Sequence, residues 1–334
     1  MKQALIFLAV VSGIVFTGCA PSQQTAAKKN KVRLTVDFQP GQTLRYSFKS
    51  YRDITVDWGK MPGEENSKTK IDKSSDEFDL VVLYTPEESN AFGFTRIKAV
   101  CESARVTRTG APGKHMSKPD AAEGFTGKTW TFTVGPTGKM QDSSNLLDVI
   151  RLVAQGAFRS DKSQGLIKEP DMIYDFIALQ WFLWDPVSSI QRPAAGVKVG
   201  NKWSSKLFVP APMVLYAARD VNYILADVRS DDNSQIAVID SNYTLLYPAP
   251  SDWPVPYTES YSMSGMFGFL RGYKVLDLNG AGQELFDVNS GRVLKDTQKY
   301  TMNVMSSLPL LAGITPKITI EQTLTMDLVA PKEH

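Results

Sequence analysis

The chain has 334 residues, 43% hydrophobic and 22% charged, a balance typical of globular proteins and long enough for one large core or two smaller ones. Lys and Arg number 37 against 35 Asp and Glu, so there is no basic surplus to attract nucleic acid, and no nucleic-acid partner is expected. With two histidines and two cysteines the chain lacks the ligands for a zinc or other soft-metal site, and no cofactor is expected.

Met1 and Lys2 precede an uncharged apolar run over residues 4–16, too short for a permanent membrane-spanning helix. A basic start, a brief apolar core and small residues at its end predict a lipoprotein signal peptide over residues 1–18. Phe16-Thr17-Gly18 lead into Cys19 and resemble a lipobox, with Phe16 where leucine is usual. Cys19 is therefore the expected lipidation site, and ordinary cleavage after Ala20 is the competing reading. Residues 19–30 are polar and small, with nothing to bury, and read as a flexible tether. Several acyl chains on Cys19 would make the anchor durable, because one chain binds membranes only marginally. The expected location is the cell envelope, lipid-anchored, with Ala20 favouring the periplasmic face of the outer membrane.

Beyond the tether the hydrophobic period is mostly two. In a first β unit over residues 31–140, Val32, Leu34, Val36 and Phe38 alternate with polar partners, as do Leu44, Tyr46 and Phe48, then Trp130, Phe132 and Val134. Turn-forming residues at 85–90 and 134–139 separate these runs. Cys101 falls inside a strand pattern and reads as a buried small hydrophobe. A helical segment over residues 141–195 follows. Leu146, Leu147, Val149, Ile150 and Val153 share one helical face behind Asp142 and Ser143, a plausible cap. A second helix over residues 170–184 is apolar nearly all round, opened by Pro170 and stopped by Pro186. Residues 196–334 form a second β unit, with hairpin turns at 230–234 and 287–292 and a last alternating run through Ile318, Ile320, Leu324, Met326 and Leu328. The expected class is mainly β (α+β): large antiparallel sheets in a sandwich or partly rolled barrel, with two central helices packed on a sheet face. A faint echo between residues 77–90 and 220–233 raises the reading of a two-fold β duplication.

Few residues suggest chemistry. His115 lies in a loop rich in glycine and proline, where no catalytic role is expected. Ser230, Asp231, Asp232 and Asn233 lack the alternate spacing and distant glutamate of a calcium loop, and read as a hairpin tip. Gly280-Ala281-Gly282 precedes a strand instead of opening a helix, and reads as a hairpin bend or bulge. Asp171 and Asp175 share a helix face and could serve a carboxylate-dependent hydrolase, although helix-start carboxylates ordinarily just offset the dipole. Trp181, Phe182 and Trp184 could line a cavity for an apolar ligand, with plain core as the alternative reading. Trp253 is a further candidate contact, displayed with Tyr247 on the proline-rich stretch 246–256.

The segments Val199-Gly200-Asn201-Lys202-Trp203-Ser204, Phe132 to Lys139 and Gly282 to Arg292 resemble those of bacterial lipoproteins that pair a lipobox with a β-rich body of unknown function. The resemblance implies an address and a fold, and brings no catalytic residues. The function expected is a membrane-anchored envelope lipoprotein acting as a non-enzymatic binding or scaffold module. Its partners would be the membrane, through the anchor, and another envelope protein or an apolar ligand. The alternatives are an apolar-ligand (lipid) carrier and a carboxylate-dependent hydrolase.

Overall fold

The computed structural model describes residues 31–60, 69–110, 119–158, 166–167, 171–211, 217–231, 234–247, 262–263, 265–308 and 314–330. Its strands are β1 (Leu44–Asp57), β2 (Ile71–Ser89), β3 (Thr95–Thr109), β4 (Thr129–Val134), β5 (Met140–Asp142), β6 (Leu166–Ile167), β7 (Lys202–Phe208), β8 (Ala218–Asp231), β9 (Ser234–Leu246), β10 (Ser262–Met263), β11 (Arg271–Asp287), β12 (Arg292–Ser307) and β13 (Lys317–Val329). The helices are α1 (Ser144–Ala154), α2 (Ile173–Phe182), α3 (Asp185–Ser188) and α4 (Gly265–Phe269).

The protein is mainly β. One 11-stranded sheet runs in the order β5-β4-β3-β2-β1-β13-β12-β11-β9-β8-β7, while β6 and β10 form a separate parallel pair. Every neighbouring pair in the large sheet is antiparallel, as short connections between consecutive strands require. The expected sandwich or partly rolled barrel is thus a single open sheet, with β5 and β7 as its two edges. Two meanders make it, and they join where β1 pairs with β13 in a register that sets Phe48 opposite Met326 and Ile54 opposite Ile320.

Alternation explains which face is dry. In β1 the even-numbered residues Leu44, Tyr46, Phe48, Ile54 and Val56 are all buried, and the odd-numbered ones are not. Burying each large apolar side chain stabilises the fold by about 1.5–3 kcal/mol. Cys101 lies on the same inner face of β3, and burial pushes its thiol up to about 12. Residues 31–38 keep the alternating burial expected of them but make no strand. An isolated bridge from Val32 to Val197 and a bond from the Asp37 amide to the Gly291 carbonyl hold their backbone, and Val32, Leu34 and Val36 join the core.

The connection between the meanders leaves the sheet at the β5 edge and rejoins it at the β7 edge. It crosses the inner face as helices. The Asp142 carboxylate accepts from the Ser144 amide, so Asp142 and not Ser143 supplies the side-chain cap of α1. The second helix is shorter than the pattern 170–184 suggested. Asp171 accepts from the Ile173 amide at its start, and Pro186 lies in the first turn of α3 and does not end the helical path. Its apolar surface does face buried partners all round: Phe176 stacks on Phe125 at 3.6 Å between ring centres and Tyr174 on Phe208 at 5.0 Å.

Gly280 and Gly282 lie in the middle of β11, not at a bend or bulge. They face inward, where larger residues from neighbouring strands take the space. A Cβ at 282 would stand 2.3 Å from the Tyr243 hydroxyl and 2.7 Å from the Thr297 carbonyl, and one at 280 would stand 2.4 Å from the Tyr300 Cβ. We expect Gly282→Ala to destabilise the protein by about 1–3 kcal/mol in urea titrations, as overpacking does elsewhere. Adding Tyr243→Phe should restore part of the loss, and strictly additive effects would show that the hydroxyl is not the obstacle.

Candidate functional site

The inner face is not uniformly apolar. One transverse row crosses the sheet from strand to strand: Arg108, Asp76, Arg52, Gln322, Tyr300, Gly280, Tyr243, Val221 and Ser205, each paired with the next. Polar side chains in this row and beside it gather into two buried clusters.

The first cluster lies under α2. Arg52 is fully buried, and its guanidinium is well supplied: Nε donates to Asp76 at 2.9 Å, one terminal nitrogen to Asp175 at 3.1 Å and the other to the Met172 sulfur at 2.7 Å. Asp175 also accepts from the Ser50 hydroxyl at 2.6 Å and the Gln322 amide at 2.8 Å. Beyond Asp76, Arg108 pairs with Asp120, whose carboxylate also accepts from the Ala122 and Met172 amides. Burial raises the Asp120 carboxyl and Arg108 opposes that shift. Farther along α2, Tyr84 donates to Gln180 at 2.7 Å. This cluster is satisfied almost throughout and reads as a clamp between helix and sheet.

The second cluster lies on β8, β9, β11 and β12, with Asp185 contributed by α3. Arg219 is 0% exposed and sits against the faces of Tyr243 and Tyr300, 4.6 and 5.3 Å from the ring centres. None of its three nitrogens has a hydrogen-bond partner among the described residues. Glu284 is also buried, both of its carboxyl oxygens lack a donor among the described residues, and it stands directly opposite Asp296 in the β11–β12 register. Asp296 accepts from the Gln298 amide at 2.5 Å, and Ser241 and the Tyr243 hydroxyl share a bond of 2.5 Å. Asp185 keeps part of its residue surface exposed, yet its carboxyl group is enclosed by the Tyr223 hydroxyl at 2.6 Å and the Ser205 hydroxyl at 2.8 Å.

The electrostatics follow from enclosure. Burial pushes Asp185 up to about 6 against the hydrogen bonds of Tyr223 and Ser205 and the charge of Arg219. Burial likewise pushes Asp296 up to about 7, opposed by Gln298 and Arg219. Glu284 goes well above the ordinary carboxyl range, driven by burial and then by Asp296 and Asp185. The strip therefore sets a guanidinium beside carboxyl groups whose proton affinity burial has raised, Glu284 most of all. It can offer forked N–H donors, protonated carboxyl donors and tyrosine faces to a partner.

Of the residues picked out by sequence, Phe182 and Trp184 are buried and Trp181 is half-buried. Trp184 belongs to an aromatic cluster, 5.1 Å from Phe38, 5.9 Å from Tyr84 and 6.2 Å from Phe132. The Trp203 indole donates to the Pro186 carbonyl at 2.7 Å. Asp175 is engaged by Arg52, and Asp171 caps α2, so the two do not act as a facing pair. Cys19, Trp253 and His115 lie outside the described residues. Sequence reading missed Arg219, Glu284 and Asp296, although strand parity marks each. Arg219 is in phase with buried Val221, Tyr223 and Leu225, Glu284 with Leu278 and Phe286, and Asp296 with Tyr300 and Met302.

No known family profile and no curated protein matches the chain. A solved structure titled "Lipid-protein interactions in lipovitellin" is similar at a TM-score of 0.38 and 8% identity, over 89% of this chain and 26% of that one. The chain thus spans about a quarter of the protein it resembles.

Two outcomes test the two clusters. Asp175→Ala should cost about 3–5 kcal/mol in denaturant titrations, because it leaves a buried arginine short of its carboxylate. A loss near zero would mean that the clamp contributes nothing. Carboxyl groups raised by folding stabilise the native state below their unfolded values near 4, and that contribution is lost as pH climbs through the native values. For Asp185 and Asp296 these are about 6 and about 7. Urea midpoints should therefore fall between pH 5 and pH 8, and Glu284→Gln should recover about 1–3 kcal/mol at pH 8. A flat profile would contradict the shifts.

Proposed function

We propose that this protein is a lipid-anchored envelope lipoprotein whose body is a non-enzymatic binding module, with its ligand site in the polar strip around Arg219. The observation that carries this reading is a pair of buried groups on one sheet face, Arg219 and Glu284, that have no hydrogen-bond partner among the described residues. Buried polar groups are nearly always hydrogen-bonded, and leaving a charge without partners is expensive, so such groups mark a place built for an occupant. Support for the anchor is the apolar run over residues 4–16 and the small residues leading to Cys19. The lipid-carrier variant fits the same strip, where Leu207 and Leu245 flank Arg219.

One observation favours a second reading, the carboxylate-dependent hydrolase. Glu284 faces Asp296 and both hold protons to unusually high pH, the arrangement that acid–base pairs use. Glu284 and Asp296 are 2% and 3% exposed and Arg219 0%, so a substrate at the pair and a ligand at the arginine would both have to enter the interior. What weighs toward binding is that Arg219 has no hydrogen-bond partner among the described residues.

The deciding experiment is intact-mass spectrometry on the full chain purified from its own membrane in mild detergent. The expected result is a chain starting at Cys19 with added acyl mass, lost in Cys19→Ser, together with a stoichiometric small molecule retained under native conditions. A chain cleaved after Ala20 without acyl mass would overturn the anchor. A small molecule that leaves chemically altered would favour the hydrolase.

A further inference from the structure

Two arginines are buried on the same sheet face, and the protein treats them differently. Arg52 has a carboxylate at Nε, another at one terminal nitrogen and a thioether at the other. Arg219 is buried just as completely, yet its hydrogen-bonding capacity is unspent among the described residues. The rings of Tyr243 and Tyr300 stabilise its charge without using a single N–H. Asp185 and Asp296 are near enough to feel that charge but form no ion pair with it. A guanidinium presents five donors in a fixed planar fork, a shape that matches two oxygens of one carboxylate or phosphate. Across the β8 register the neighbours of Arg219 are Leu207 and Leu245, so the flanks offer no competing acceptor side chain.

We infer that the edge of the Arg219 guanidinium is an oxyanion-binding site, taking the carboxylate or phosphate group of a ligand between the tyrosines of β9 and β12. The inference rests on the binding-module reading and adds the ligand's chemistry to it. Arg219 would hold two ligand oxygens through its fork. The Tyr243 and Tyr300 rings would keep the cation in place while the site is empty. The apolar neighbours suit the first carbons of an acyl chain, and a small free oxyanion shares the same head chemistry.

The test uses the full chain in mild detergent at pH 7, titrated separately with palmitate labelled with 13C at its carboxyl, with inorganic phosphate followed by 31P NMR, and with palmitic acid methyl ester as the neutral control. Saturable binding of at least one anion is expected, with no competition from the ester. Palmitate alone would assign a lipid head group, and phosphate alone a free oxyanion. Arg219→Met should weaken that binding by about tenfold or more. Its melting temperature should hold or rise, because a buried charge without partners has been removed. Arg219→Lys keeps the charge and loses the fork, so it should fold and still bind poorly, which covers a failure of the methionine variant to fold. Ester binding equal to that of the acid would overturn the oxyanion inference and leave the binding module standing. Refusal of both anions and the ester would overturn both. Unchanged affinity in Arg219→Met or Arg219→Lys would overturn the assignment to this side chain.

Discussion

The pairing of β1 with β13 is the contact on which the rest of the structure depends. It joins strands that lie at opposite ends of the described chain, and without it the two meanders would be separate sheets, each with an extra exposed edge. It also dictates the path of everything between them. Once the first and last strands sit side by side at the centre, β5 and β7 become the outer edges. The chain from one to the other must then traverse the sheet's full width. It does so over the inner face, which places α2 above the seam and Asp175 within reach of both Arg52 and Gln322. The polar clamp is thus a consequence of topology: a helix laid across the centre brings its one carboxylate to the strands that flank the join.

The clamp in turn holds the register. Side chains along a strand alternate between faces, so a slip by one residue would turn Arg52 outward and bring Asp53 or Tyr51 beneath α2. A purely apolar seam would tolerate the slip better than one in which Arg52, Asp76 and Gln322 must meet a fixed acceptor. Satisfied buried ion pairs contribute little net stability compared with apolar residues of similar volume, but a mismatched one is heavily penalised. The row therefore selects one alignment out of several that hydrophobic burial alone would permit.

Much of this was legible in the amino-acid order, and the failures have identifiable causes. Runs such as Leu44, Tyr46 and Phe48 reveal strands because one face must be dry. The helix from Ile173 reveals its burial because it has no wet side. What composition and spacing could not supply was the number of sheets, since two stacked sheets and one broad sheet covered by helices ask the same alternation of each strand. Gly280 and Gly282 were misread for a related reason. Glycine in a strand signals either a bend or a close approach from a neighbour, and only the cross-strand register reveals Tyr300 and Tyr243 occupying the space. The polar strip escaped notice because Arg219, Glu284 and Asp296 come from three different strands, with Arg219 far in sequence from the hairpin that pairs the other two. Their parity with buried neighbours was visible one strand at a time, but their convergence was not.

The contrast between the two clusters is the strongest physical clue to what the molecule is for. Both put a buried arginine and carboxyl groups on the same sheet face, and the first shows that the fold can neutralise a buried guanidinium. At Arg52 it does so with Asp76 and Asp175. At Arg219 the available carboxyl groups are committed elsewhere: Asp185 to Tyr223 and Ser205, Asp296 to Gln298. Glu284 has no donor among the described residues, and burial first, then Asp296 opposite it, holds its carboxyl well above the ordinary range and so favours the neutral acid. A protonated acid gives a cation no charge compensation. The strip therefore retains a guanidinium whose donors meet no acceptor among the described residues, and it is this unmatched capacity, set beside the fully matched Arg52, that distinguishes the two halves of the sheet.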